Sequence, residues 1–528
     1  MINPLTLPAL ENLLQERFKE GFLSLKDLPD PSTFKDMERA TARIVSAIEH
    51  HEQIGIVGDY DVDGVTATTL MKRFFDAIGY EVVWIIPNRF RDGYGISPSV
   101  IERILPLDVI ITVDNGIAGV EAGKRCQEEG IDLIITDHHL LPPQLPPAYA
   151  IIDQKQPECT FPYEEVCGAQ IAWYLIASLK RALGYDFSMM PYMALSAIAI
   201  IADVMPLQHI NRAMVIAGLK ELNRAKFPAI EAFLETYKKQ ALTAEDIAFL
   251  LAPLLNSAGR MSDAKEAVAF LLSTTLQEAH QHLHQLIQRN ELRKSTESAI
   301  TKEAKEAVCD EDALIVVWGE EWHEGVLGIV ASRLCDTFEK PAIVLSRDEN
   351  GLLKGSGRSF GMCHLFETLH SSRPLLEKFG GHSAAVGLSL YEKNLEAFKK
   401  SLSTAYTPSL EPYIDPDIVG VLPLSEVTFA LSTLLERYEP YGEGNRKPKF
   451  LSEGVMLASV DRMGKEGEHL RFTFTFEGEH YVGVQFRATT SLVAGERVNI
   501  VYTVNENHFR QRVTLQLMIE KIEPHLTH

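Results

Sequence analysis

Residues 54–64 read IGIVGDYDVDG, a short apolar run followed at once by three aspartates, Asp59, Asp61 and Asp63. An apolar run of this length bounded by glycine is the pattern of a buried strand, and the helix-like stretch TATTLMKRFFDAI (66–78) comes next. VVWII (82–86), DVIITV (108–113) and DLIIT (132–136) are further buried-strand candidates, with helix-like GVEAGKRCQEEG (119–130) between the last two. Strand-helix-strand alternation predicts an α/β fold with a parallel sheet. The ionisable residues fall where these strands end: Asp114 closes DVIITVDNG before an Asn-Gly turn, and Asp137, His138 and His139 close DLIITDHH. Ligands of open parallel sheets bind outside the carboxyl ends of the strands. Three strands would therefore deliver carboxylates and imidazoles to one edge of one sheet.

So many carboxylates converge only if something positive compensates them. Divalent cations do so, and a mixed oxygen and imidazole set suits Mn2+ or Mg2+ better than a thiolate-preferring ion. Two such ions about 4 Å apart can activate water and stabilise both oxygens of an in-line phosphoryl displacement. Taken singly the residues have other uses: a lone Asp after a strand is as readily a helix cap, and Asp137 could serve to orient a neighbouring imidazole.

The rest of the chain divides by composition. Residues 1–50 read as an N-terminal helical segment, 51–270 as the α/β domain with a mostly helical second half, and 271–310 as a long connecting helix. A second α/β unit over 311–405 has strands at 314–317 and 342–345. From 406 to 528 a lead-in precedes alternating strands (HLRFTFTF, YVGVQF, RVNIVYTV, RVTLQLMIEKI) that predict a small OB-type β-barrel. Phe472, Phe474, Phe476, Tyr481 and Phe486 fit either its core or a stacking platform. A balance of 51 basic against 72 acidic residues argues against non-specific coating of nucleic acid but allows a local basic channel. No bilayer-length apolar run, no leader in MINPLTLPAL and no CxxC among six cysteines lead us to expect a cytoplasmic enzyme with reduced thiols.

With these motifs in place the chain resembles the DHH phosphoesterase superfamily and, within it, the RecJ family of single-strand-specific exonucleases. GDYDVDG, VDNG and DHH look like the first three family motifs, and Asp203 of IIADVMPL matches the fourth. NRFRDGYGIS (88–97), CGAQIAW (167–173) and LLNSAGRMSDAKEAV (254–268) are similar to further motifs. WHEGVLGIVASRL (322–334), KGSGRS (354–359) and FGGHSAAVGLSL (379–390) look like the DHHA1 domain, and YGEGNRKPKF (441–450) like the segment leading into the OB domain. The chain departs from the family pattern twice, with Asp153-Gln154 and Gly444-Asn445-Arg446 where Asn-Pro and Gly-Asn-Pro are usual.

The resemblance implies a 5′-to-3′ exonuclease for single-stranded DNA that releases 5′-mononucleotides in repair and recombination. Its expected cofactors are two divalent cations, Mn2+ or Mg2+, and its possible partners single-strand-binding protein and a helicase. By analogy Asp114 bridges the cations, with Asp59 and Asp61 on one and Asp63, His138 and Asp203 on the other. His139 contacts the scissile phosphate, and Asp137 joins Asp114, His138 and His139 in the catalytic group. Arg89, Ser356 and Arg358 are candidates for the 5′-phosphate, Arg260 for the strand near the active site, His382 for the DNA or scissile phosphate, and Tyr94 for the DNA or the 5′-phosphate. Two alternatives stay open: a related phosphoesterase for short oligonucleotides or cyclic dinucleotides, and a non-catalytic DNA-binding relative.

Overall fold

The computed structural model describes residues 5–525 except 310, 349–350, 382, 408–414, 465–466, 487, 489–491 and 510–511, so His382 lies outside the described residues. Strands β1 (Ile54–Val57), β2 (Val83–Ile85), β3 (Val109–Val113), β4 (Asp132–Thr136) and β5 (Ala150–Ile152) form one parallel sheet in the order β2-β1-β3-β4-β5. Its central strands are buried on both faces, which is why they read as unbroken apolar runs. Ile54, Ile56, Val109, Ile111 and Ile134 face one core, and Val57, Ile110, Leu133 and Ile135 face the other. The order reverses between β1 and β3, so the loops that follow them diverge and open a crevice at their carboxyl ends. Asp59 and Asp114 stand at that switch point.

A mostly helical half packs on the first core and includes the helices Gly168–Leu183, Met190–Ala202 and His209–Arg224. The helix Leu276–Glu306 then leads into a second sheet of order β6-β7-β8-β10-β9. This sheet comprises β6 (Ile315–Glu320), β7 (Ala342–Arg347), β8 (Leu352–Arg358), β9 (Lys378–Gly381) and β10 (Ala385–Tyr391), and only β6 and β7 run parallel.

The C-terminal strands are β11 (Ile418–Val421), β12 (Lys449–Met463), β13 (His469–Phe476), β14 (Glu479–Gln485), β15 (Arg497–Phe509) and β16 (Arg512–Pro524). They run β11-β12-β13-β14-β16-β15, and β15 pairs back onto β12 to close a five-stranded barrel, with β14 and β16 parallel. Closure by five strands fits the OB-type expectation. Phe472 and Phe474 are fully buried and stacked at 5.7 Å, so they are core, whereas Phe486 is exposed against His469.

Residues 1–50 do not act together. Leu5, Leu10, Leu14 and Phe18 join the barrel's core, while Phe34, Met37, Ala40 and Ile44 join that of the first domain. The N-terminal stretch thus straps the two ends of the chain together.

Candidate active site

The cluster is built from backbone that has little freedom. Asp61 caps the helix Val62–Ala77, its Oδ1 accepting from the Gly64 N–H at 3.1 Å. That cap starts the helix ahead of its apolar pattern and puts Asp63 in the first turn, where the helix dipole favours a carboxylate. Asp63 is also fixed from outside, because its oxygens accept from Gly168 N at 2.6 Å and Ala169 N at 2.8 Å, the first amides of Gly168–Leu183. Gly168 has no room for a side chain: a Cβ there would stand 2.5 Å from Asp114 Cβ. Asp114 itself adopts φ 61°, a left-handed conformation that Asp tolerates better than most residues. Asp203 follows the helix Met190–Ala202 and precedes Val204 at φ 55°, strain of order 1–3 kcal/mol for a β-branched residue.

His138 Nε2 lies 3.2 Å from Asp114, 3.7 Å from Asp63 and 3.7 Å from Asp203. Three sets of ligand atoms each fall within 4.8 Å of one another: Asp59, Asp61 and Asp114; Asp63, His138 and Asp203; and Asp114, His138 and His139. Asp114 is common to the first and third sets, and His138 to the second and third. Asp137 stands apart because its oxygens are already used. Oδ1 accepts from His138 N (2.8 Å), His139 N (3.2 Å) and His139 Nδ1 (2.7 Å), and Oδ2 from Ile117 N (2.9 Å). This geometry orients the His139 imidazole, fixes the His138 backbone and offers no ligand.

Whether divalent cations suit these residues can be read from the unpaired atoms. Asp59 Oδ1, Asp114 Oδ1 and Asp203 Oδ2 are buried with no hydrogen-bond partner among the described residues. Burial, then neighbouring carboxylates, raises Asp59, Asp61 and Asp114 above the ordinary carboxylate range and pushes Asp203 up to about 9. Burial lowers His138 despite the Asp63 charge, which keeps its ring neutral and able to ligate. Orphaned hard oxygens, mutual repulsion and a neutral imidazole fit divalent cations of the Mn2+ or Mg2+ kind.

His139 differs from His138. Burial opposes its charge, but the hydrogen bond to Asp137 and the surrounding carboxylates win and raise it to about 9. It is therefore a cation at neutral pH, and Tyr94 Oη lies 3.2 Å from its Nε2 and 3.3 Å from the Asp114 carbonyl.

Beside the carboxylates is a basic group. Arg89 lies over the Tyr60 ring at 5.3 Å. Arg358 on β8 donates to Ser356 Oγ at 2.8 Å, and Gly328 in the first turn of Leu327–Phe338 approaches both so closely that a Cβ would meet Arg358 Nη2 at 2.8 Å. Arg260 donates to the Gly325 carbonyl at 3.2 Å and so joins the two α/β domains. Burial, then Arg89, Arg293 and Arg358, lowers Arg260 to about 10. Arginines that repel one another beside a helix N-terminus are a candidate anion site.

Several residues of the site escape a reading of the sequence. Asn115 ties the crevice together: its Nδ2 donates to the Val57 (3.0 Å) and Val113 (2.9 Å) carbonyls, and its Oδ1 accepts from Ile96 N (3.0 Å) beside Tyr94. The Asn-Gly pair after a strand is a turn signal that hides this role. Lys155 Nζ donates to the His138 carbonyl. Asp153, where the family pattern has Asn, is buried with Oδ2 unpaired, and burial pushes it up to about 7.

These shifts give a signed expectation. Groups raised in the folded state stabilise it below their unfolded pKa, near 4 for the carboxyls and 6.5 for His139, and lose that contribution as pH rises towards about 9. The metal-free Tm should fall by several degrees between pH 5.5 and 9, and saturating Mn2+ should flatten the slope because cations bind the deprotonated carboxylates. Thermal scans with EDTA and with Mn2+ measure both; a metal-free Tm that climbs over this range contradicts the site as drawn.

Residues 53–200 match the model of the DHH family N-terminal domain, 310–407 that of the DHHA1 domain and 418–521 that of the RecJ OB domain. The chain is 33% identical to the single-stranded-DNA-specific exonuclease RecJ of Escherichia coli over 96% of its length and 93% of the relative's. It is 31% identical to that of Haemophilus influenzae over 98% and 96% of the two chains. Identity to the Bacillus subtilis RecJ is 36%, over 94% of this chain but only 65% of the relative. The crystal structure of RecJ in complex with Mn2+ from Thermus thermophilus superposes with a TM-score of 0.80 at 28% identity, covering 94% of this chain and 72% of that one. Metal-binding geometry, three matched domains and near full-length identity agree, and the chain belongs to the RecJ family of DHH proteins.

Proposed function

We propose that this chain is a metal-dependent exonuclease specific for single-stranded DNA, which trims a 5′-phosphorylated end to 5′-mononucleotides during repair and recombination. The observation that carries the reading is the pair of ligand sets sharing one crevice with the arginine group. Asp59, Asp61 and Asp114 would hold one cation, and Asp63, His138 and Asp203 with Asp114 the other. When bound, the two cations supply water activation and stabilise the charge of an in-line phosphoryl displacement.

The chain's own groups do the remainder. Protonated His139, held by Asp137 at 2.7 Å, presents a positive N–H to a phosphate oxygen. Arg89, Ser356, Arg358 and the amides that open the helix Leu327–Phe338 receive the terminal phosphate, and Tyr94 and Arg260 border the strand between. A cleft between the two α/β domains, which meet at Arg260 and Gly325, would admit one strand and exclude a duplex by shape. The barrel favours a long strand over a dinucleotide as substrate, because an OB-type surface adds contacts beyond the reacting end. In the cytoplasm such an enzyme works on DNA opened by a helicase and covered by single-strand-binding protein.

Digestion of single strands labelled at the 5′ or 3′ end, with Mn2+ and a duplex control, tests the reading; release of label from the 3′ end first would reverse the polarity. Arg358→Ala should raise KM for a 5′-phosphorylated strand about tenfold to a hundredfold while leaving kcat within about threefold, since a charge-assisted contact made equally in ground and transition states acts on KM. A 5′-hydroxyl strand should show little change. Equal losses on both ends would remove Arg358 from the phosphate site.

A further inference from the structure

The segment Tyr441–Arg446 is one that the sequence marks as a motif without giving it a task. It packs on the loop that follows Asp203. Leu207 N donates to the Glu443 carbonyl at 2.7 Å, and Gln208 Nε2 donates to the Gly444 carbonyl at 2.8 Å and the Arg17 carbonyl at 3.1 Å. The fit leaves no slack. A Cβ on Gly442 would meet Leu207 Cδ1 at 2.7 Å, and one on Gly444, already at φ +68°, would meet Pro206 Cβ at 2.9 Å.

The turn is anchored on its far side as well. Asn445 is fully buried, donating to the Tyr438 carbonyl at 2.7 Å and accepting from Arg17 Nη1 at 3.2 Å. Arg212, in the helix after the loop, has no acidic partner among the described contacts. Its guanidinium lies 4.2 Å from the Phe22 ring centroid and 5.3 Å from that of Phe18, and donates to the Glu439 carbonyl at 2.6 Å. The joint therefore unites the N-terminal strap, the barrel's lead-in and the catalytic domain.

What the joint holds is strained. Val204 sits in the left-handed region, 61% exposed, immediately after Asp203. A β-branched residue remains there only where its surroundings over-determine the backbone. Upstream the helix end fixes it through Val204 N to the Ile201 carbonyl and Met205 N to the Ile200 carbonyl; downstream the fixing groups include Glu443 and Gly444 of the lead-in.

Resting on the two-cation reading above, we infer that the Gly442–Asn445 turn is a positioning element for Asp203, so that the barrel's lead-in sets the affinity of the cation site formed by Asp63, His138 and Asp203. The joint acts through the 204–208 backbone and makes no contact with substrate.

Titration of the full-length protein with Mn2+, following free Mn2+ by electron paramagnetic resonance, tests this without turnover. Wild type should bind two ions. Gln208→Ala, which removes one amide and its two hydrogen bonds, should weaken one of the two sites about tenfold, with far-UV circular dichroism unchanged. Excess Mn2+ should restore kcat on a trinucleotide. Gly444→Ala should do the same more strongly; if it does not fold, Gln208→Ala decides. In a Val204→Gly background, where the left-handed backbone carries no strain, Gln208→Ala should alter Mn2+ affinity less than about threefold. Mn2+ isotherms of Gln208→Ala that superpose on wild type overturn the positioning role and leave the function standing. Absence of Mn2+ binding in wild type overturns the metal reading and this inference with it.

Discussion

Asp114→Asn should reduce phosphodiester cleavage by about 10^4-fold or more while single-strand binding stays within about threefold of wild type. At the end of β3, Asp114 groups with Asp59 and Asp61 on one side and with His138 on the other, and His138 in turn groups with Asp63 and Asp203. An amide there keeps one neutral oxygen and loses the charge that two cations would share. The fold has no reason to suffer. Asn is among the few residues that accept φ near 61°, and the substitution removes a buried carboxyl raised by burial and by four neighbouring aspartates. The metal-free Tm of the variant should equal or exceed that of wild type. Its response to Mn2+ should shrink, because a ligand at a hundred times its dissociation constant stabilises by about 2.7 kcal/mol and the variant would no longer reach that occupancy. Cleavage retained within tenfold would overturn the proposed role of Asp114 in holding the cations.

That variant tests what was most legible in the sequence. Buried parallel strands write themselves as apolar runs, and the polar residues after them mark one end of the sheet, so Asp59, Asp61, Asp63, Asp114 and His138 converge where the runs of β1, β3 and β4 point. Short or non-local features left weaker traces. Strand β5 has three residues, too few for a period. The helix after β1 starts at Val62 and not at 66, because the Asp61 cap outweighs the apolar spacing. Nothing local shows that Leu10 and Leu14 belong to a barrel made of residues beyond 410, since that pairing depends on tertiary fit. The proposed anion site draws Arg89 from the first domain and Ser356 and Arg358 from β8, and only family resemblance could bring them together beforehand. Arg212 gave no signal at all, because its partners among the described residues are ring faces and carbonyls.

Gly168 shows how a structural position can control the chemistry without meeting the substrate, and Gly168→Ala should abolish activity, by about 10^3-fold or more, through one methyl group. The added Cβ would stand 2.5 Å from Asp114 Cβ and 2.7 Å from its Oδ1, distances that something must relieve. Two movements can relieve them. Asp114 can withdraw, which takes its carboxylate away from Asp59 and Asp61 and from His138. Alternatively the helix Gly168–Leu183 can retreat, which carries away the Gly168 and Ala169 amides that hold Asp63 at 2.6 and 2.8 Å. Either way a ligand leaves its place, so Mn2+ affinity should fall at least about tenfold along with kcat. Stability should fall less, by about 1–3 kcal/mol for overpacking, a drop of several degrees in Tm. Gly387→Ala serves as the matched control, because a Cβ there meets nothing within 4 Å, and it should behave as wild type in all three measurements. If Gly168→Ala bound Mn2+ as wild type does and kept its kcat, the tight approach of this helix to Asp114 would have no part in holding the site.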